Sequence, residues 1–225
     1  MRWLRNLLTW LGLGTQNGDP QRQALMKKAE TFPVIREWIL DPFHIHVGFR
    51  VMHMGLVEVV GRFKEVSANI QATSPSFEDL KVEVEIAAAS IETDLPARDA
   101  HLKAPDFLDV ENYPKIFFRS TSVQWRPLKR FIMEGDLTIR GKTHPIRLEG
   151  ELKGLLFKDI VGEPRASFEL KGEIDRRKWD LVWQMETADG TLVVDDRVKI
   201  EVACEIITPK GLQALMQLLG QMQPS

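Results

Sequence analysis

Five histidines, a single cysteine and a compact Arg98–Asp99–His101 group are the side chains here with the strongest claim to chemistry. His44 and His46 stand two residues apart, so on an extended strand they share a face and offer half of a metal site. A full site needs further ligands, and no compact His, Cys or Glu cluster follows nearby. Cys204 falls at an apolar position of its segment. No metal is therefore expected, and the histidines read as surface or hydrogen-bonded groups. Arg98, Asp99 and His101 could do acid–base work, but an Arg–Asp pair fixing a short helix on the body explains the same residues with less. No Ser–His–Asp order, nucleophile elbow, phosphate loop or paired-carboxylate signature is visible. The residues point away from an enzyme, with no catalytic residue and no cofactor expected.

The elements that must position these side chains are read from the hydrophobic period. From about Trp38 it changes from 3.6 to 2. Phe43, Ile45, Val47, Phe49 and Val51 alternate with His44, His46, Gly48, Arg50 and Met52. The same alternation places Val82, Val84 and Ile86 opposite Lys81, Glu83 and Glu85. It recurs over 133–140, 146–153, 167–174 and 198–206. Repeated alternation of this kind means antiparallel sheet with one wet and one dry face. With 57–70 and 115–125 added, about eight strands are expected, joined by turns at Met54–Gly55, Arg140–Gly141 and Asp189–Gly190. One interruption, Ala97 to Leu108, looks helical. A closed barrel is preferred to a sandwich, which would need a second independent inner face; both remain open on pattern alone.

The dry faces supply Phe49, Val51, Phe63, Val84, Ile86, Phe118, Leu137, Leu148, Phe168 and Val202. His53 has the parity of Phe49 and Val51, so it is expected inside, either on a ligand headgroup or satisfied by backbone. Alternation does not distinguish a packed interior from a lined tunnel.

Composition narrows the partners. Lys and Arg number 30 against 32 Asp and Glu, a net charge of −2, which gives no electrostatic case for nucleic acid. One cysteine excludes an intrachain disulfide. That suits a reducing compartment without excluding the periplasm. No apolar run approaches the ~20 residues of a membrane-spanning helix. At the start of the chain, Trp3, Leu4, Leu7, Leu8 and Leu11 share one helical face, and Arg2 and Arg5 are the only charges before Gly18. This pattern suits a helix lying in a membrane surface; packing on the body, packing on a second copy, or a poor export signal are the alternatives. A second short helix is expected over 21–30. Thr208–Pro209 reads as an N-cap and first-turn proline before an apolar stripe of Leu212, Leu215, Met216, Leu219 and Met222.

An ordered series of short motifs carries a family resemblance. It begins with Asp41-Pro42, His44, Phe49, His53-Met54 and Gly61-Arg62-Phe63. Ser90-Ile91-Glu92-Thr93, Arg98-Asp99-Ala100-His101-Leu102 and Asp106-Phe107 follow. Tyr113-Pro114, Phe118, Ser120-Thr121, the run Gly135 to Thr143, Pro145 and Leu148 complete it. Over about Trp38 to Thr208 the chain resembles the YceI family of lipocalin-like polyisoprenoid-binding proteins. The resemblance implies an eight-stranded barrel with a hydrophobic tunnel for a prenyl chain, such as that of a quinone, and a helix near its mouth. Where the family usually shows an R-x-D-F-G-like run, this chain reads Arg176-Arg177-Lys178-Trp179-Asp180.

The combined expectation is an all-β chain: a closed eight-stranded antiparallel lipocalin-like barrel over 38–208. A helical extension precedes it at 1–37, a helix follows at 209–225, and a short helix sits on the rim. It would bind, sequester or transport an isoprenoid lipid, from the cytoplasm, a membrane surface contacted through residues 1–18, or the periplasm, as a monomer or homodimer. The alternatives are an enzyme acting on a prenyl lipid and a membrane-tethered interaction module with a packed barrel.

Overall fold

A computed structural model describes residues 35, 37–73 and 77–221. The expected helices before residue 31, and Met222, lie outside the described residues. Alternation becomes ten strands: β1 (Ile39–His53), β2 (Val57–Phe63), β3 (Val66–Gln71), β4 (Lys81–Ala87), β5 (Ile91–Glu92), β6 (Lys115–Trp125), β7 (Arg130–Ile139), β8 (Lys142–Leu156), β9 (Arg165–Asp175) and β10 (Val194–Ile207). Two helices accompany them, α1 (Pro96–Lys103) and α2 (Pro209–Gln221). All pairings are antiparallel, in the order β3-β4-β6-β7-β8-β9-β10-β1-β2-β5.

The closed eight-stranded barrel is corrected to a curled ten-stranded sheet. The run expected as one strand over 57–70 breaks at Lys64–Glu65 and changes partner. Before the break β2 pairs with β1; after it β3 pairs with β4. At the break the Lys64 amide donates to the Ser90 carbonyl (3.2 Å) and the Glu65 carbonyl accepts from the Ala87 amide (3.0 Å), so the backbone is satisfied outside any ladder. The two-residue β5 then covers the end of β2. Among the described residues no ladder joins the two ends of the order; β3 meets the start of β1 through the isolated Trp38–Ile70 bridge, with Trp38 N donating to Ile70 O at 2.8 Å.

The sheet has two ends. At the α2 end lie the start of β1, the β6–β7 and β8–β9 connections, and α2. At the α1 end lie the β1–β2 and β7–β8 turns, the 176–193 segment and α1. Helix α1 is shorter than the expected Ala97–Leu108, because Ala104 precedes Pro105 and is held extended (φ −70, ψ 167). At α2 the Thr208 hydroxyl accepts from the Gly211 amide (2.9 Å), the anticipated cap.

Inward faces meet in one apolar core, whose α2 end is crossed by aromatics. Trp38 packs on Phe77 (ring centroids 5.5 Å), Phe77 on Phe168 (5.2 Å), and Trp125 on Phe131 (4.7 Å). The Trp125 indole N–H donates to the Phe77 carbonyl at 2.8 Å. Inward positions are also held by glycine where a ring lies against the wall. A Cβ on Gly61 would come 2.2 Å from Phe49, on Gly135 2.4 Å from Phe118, and on Gly150 2.2 Å from Phe131. A methyl at Gly150 must displace the Phe131 ring from a fully packed aromatic group. Gly150→Ala is expected to lower stability by about 2 kcal/mol, read by denaturant unfolding; a stability equal to wild type would contradict this packing.

Candidate ligand cavity

The inner faces of the curled sheet do not meet completely. They enclose a cavity of about 280 Å³ whose only charged lining side chain is Arg176. Phe49, Val51, Phe63, Val84, Ile86, Phe118, Leu137, Leu148, Phe168 and Val202 all line it. His53 does not. The β1–β2 ladder stays regular from Val51–Val59 to His53–Val57, so His53 keeps inward parity, but it is the last residue of β1 beside the Met54–Gly55 turn and lies beyond the cavity lining. Cys204 also faces the cavity, and burial pushes its thiol up to about 11, far from the thiolate a nucleophile needs.

Arg176 is the feature that sequence reasoning missed. It continues the inward parity of Ile174, two residues past the point where the sequence alternation ends. Its Nε donates to the Asp195 carbonyl (3.0 Å) and its Nη1 to the carbonyls of Leu181 and Trp183 (2.9 Å for the latter). Its Nη2 donates to the Val194 carbonyl (3.3 Å) and meets the Asp196 carboxylate at 3.2 Å. Of the five N–H groups of a guanidinium, four are hydrogen-bonded to backbone carbonyls, and the Asp196 carboxylate pairs with the charge. Burial pushes its proton affinity below the ordinary arginine value, and the Asp196 charge works against that shift. With four N–H groups on backbone carbonyls and its charge against Asp196, Arg176 ties the 181–195 segment across the α1 end. The run around it forms a 3-10 turn over Arg176–Trp179, closed by Asp180 in the left-handed region (φ 56).

The Arg98, Asp99 and His101 group is divided by the structure. The expected Arg98–Asp99 pair is replaced by a shared grip on Thr93. Asp99 accepts from the Thr93 amide (2.8 Å) and hydroxyl (2.5 Å), while Arg98 donates to the Thr93 hydroxyl and carbonyl, both at 2.7 Å. This anchors α1 beside β5. His101 turns away onto Phe107 (4.9 Å) and Trp183 (5.1 Å), edge to face, with Asp106 at 3.3 Å. Phe107 and Leu102 line the cavity, so this contact covers its α1 end.

His44 and His46 lie on the outer face, both exposed. Among the described residues, one group has ligand atoms near enough to hold a metal: Asp41, His44 and Glu205. Arg165 already donates to the same Asp41 and Glu205 oxygens, the latter at 2.6 Å, and pairs with Asp159 at 3.1 Å. A guanidinium thus supplies the cation there. Burial alone would raise the Asp41 carboxyl. Hydrogen bonds from Arg165, the Phe43 amide and His44, together with the Arg165 charge, outweigh it and hold the group below its ordinary value.

Fold and cavity together define a small antiparallel β-protein with an enclosed apolar interior. The YceI-like domain matches residues 38–206, and the chain belongs to the YceI family. A relative in Photorhabdus laumondii, UPF0312 protein plu2095, is 37% identical over 156 residues, 68% of this chain and 80% of that one. The crystal structure of the Campylobacter jejuni YCEI protein superposes with a TM-score of 0.61 at 28% identity, covering 69% of this chain and 88% of that one. A polyisoprenoid binding domain from Saccharophagus degradans shares the fold, with a TM-score of 0.57 at 13% identity over 77% and 99% of the two chains.

Two outcomes follow from the buried charges. Arg176→Ala leaves several carbonyls and Asp196 without their donor and is expected to cost about 3 kcal/mol, with faster amide exchange over 181–195. Unaltered exchange there would refute the tie. A depressed Asp41 contributes stability that is present above its unfolded value, ~3.9, and is lost as pH falls through the folded value. Melting temperature should therefore fall on acidification below about pH 4, and Asp41→Asn should be weaker at neutral pH with a flatter acid dependence. Parallel acid curves for both proteins would remove Asp41 from the effect.

Proposed function

We propose that this protein binds a long apolar isoprenoid chain in its cavity and acts as a carrier or sequestering protein. The supporting observation is the wall: it is aliphatic and aromatic throughout, and its one charged group is held by backbone carbonyls and Asp196. Such a wall offers burial and no headgroup chemistry. Each CH₂ removed from water contributes ~0.8 kcal/mol, so a prenyl unit adds a few kcal/mol before ordering costs. Affinity should rise with chain length until the interior is full. Family membership and the likeness to the polyisoprenoid binding domain of Saccharophagus degradans support an isoprenoid in particular; a prenyl quinone is one such ligand. A binder is preferred to an enzyme because Asp99 and His101 serve separate structural contacts and the Cys204 thiol is held protonated.

Native mass spectrometry of gently purified protein should show added mass from an apolar, solvent-extractable molecule. Repeated absence of such a ligand, together with no binding of added prenyl quinones, would end the carrier reading. Phe49→Asp should reduce binding sharply, because an unpaired carboxylate would face hydrocarbon. Lys81→Asp, on the wet face of β4, should leave binding intact. Equal losses in two folded variants would contradict the role of the inner wall.

A further inference from the structure

Three connections put two successive residues at positive φ. The β1–β2 turn uses Met54 and Gly55 (φ 51 and 69), and the β7–β8 turn uses Arg140 and Gly141 (φ 49 and 70). Each ends on the glycine that such geometry favours. The β6–β7 connection has Leu128 and Lys129 at φ 62 and 61, with no glycine. A leucine there is conformationally costly, and its side chain is 68% exposed. The turn closes the hairpin, with the Arg126 amide donating to the Arg130 carbonyl (2.7 Å) and the Leu152 amide to the Lys129 carbonyl (2.9 Å), but the Leu128 side chain itself stands outside the core. Arg126, Lys129 and Arg130 surround this apolar tip.

The neighbouring β8–β9 loop repeats the pattern, with Leu156 and Ile160 exposed (54% and 80%) on either side of Lys158. Its carboxylates are already matched, Asp159 by Arg165 and Glu163 by Lys210. No ion pair among the described residues involves Arg126, Lys129, Arg130 or Lys158. Both loops stand at the α2 end. The described chain enters the sheet at this same end, at Trp38.

Exposed aliphatic tips among unpaired cations match an anionic bilayer, whose surface attracts the charges and whose interface takes the apolar side chains. We infer that the α2 end is a docking face for an anionic lipid surface, with Leu128 inserted and the surrounding cations on the headgroups. This face is separate from the cavity and does not depend on what the cavity holds.

The test exploits the cost of the turn. Replacing the tip in the full-length chain with L128N/K129G supplies residues that accept positive φ, so the melting temperature should hold or rise. Affinity for phosphatidylcholine vesicles containing phosphatidylglycerol, read by flotation, should fall about tenfold. K158E, which leaves the turn untouched, should weaken flotation in the same direction, and raised salt should weaken wild type. Wild-type protein that floats with neither charged nor neutral vesicles overturns the docking face. So does undiminished flotation of both variants, which would leave any membrane contact to the N-terminal residues.

Discussion

A rolled sheet of this size fills itself with side chains unless something holds them back against the wall. Here the restraint is the placing of aromatic rings over glycines. Phe49, Phe118 and Phe131 occupy the space that a Cβ on Gly61, Gly135 or Gly150 would take. Each ring is thus accommodated by its neighbouring strand rather than by the centre of the molecule. The bulk of the interior residues is spent on lining, and a cavity of about 280 Å³ remains. Larger residues at those glycines would drive the rings inward and convert a lined space into a packed core.

The same constraint explains why buried Arg176 and largely covered Arg165 sit at the ends of the sheet. A curled sheet with an apolar interior has no polar partners within, so its ends must be tied by groups that bring their own. Arg165 binds Asp41, Asp159 and Glu205 where β1 leaves its regular register, and Arg176 gathers the carbonyls of the 181–195 segment. Burying either charge is costly and becomes tolerable only because the partners are several. These ties give conformational definition to segments that alternation alone would leave loose.

Period-2 alternation made the wall residues legible from the sequence, because parity survives wherever a ladder is regular. It is blind to where a lined space ends and to where a ladder changes. His53 keeps the inward parity of Val51, but it closes β1 at the turn and lies beyond the cavity lining. Strand 57–70 looked continuous because a change of pairing partner leaves no mark on hydrophobic period. Arg98 and Asp99 read from sequence as a pair, but in the structure they meet only through Thr93, whose hydroxyl donates to Asp99 and accepts from Arg98, a partner that the sequence pattern does not reveal. The glycines at positions 61, 135 and 150 share the inward parity of Phe63, Leu137 and Leu148, so the space they make was readable. Arg176 was not, since an isolated charge after a strand reads as solvated until its carbonyl partners are seen.

The two ends of the cavity are closed by different means. At the α2 end Trp38, Phe77, Phe131 and Phe168 cross the interior in mutual contact, and the Trp125 indole fixes the Phe77 backbone. Opening that end would separate several rings in tilted and edge-to-face contact and expose some of the most deeply buried side chains among the described residues. At the α1 end the cover is short: α1 held through Thr93, His101 edge-on between Phe107 and Trp183, and a segment tied by one arginine. Helix α1 buries none of its own residues completely. Elements with few buried apolar contacts open at lower cost than the core they cover, so the α1 end is the weaker closure. With the α2 end seated on a lipid surface, the stronger closure faces the bilayer and the weaker one stays clear of it. Docking and exchange of the cavity's contents then make demands on opposite ends of the sheet, and neither requires the other to be undone.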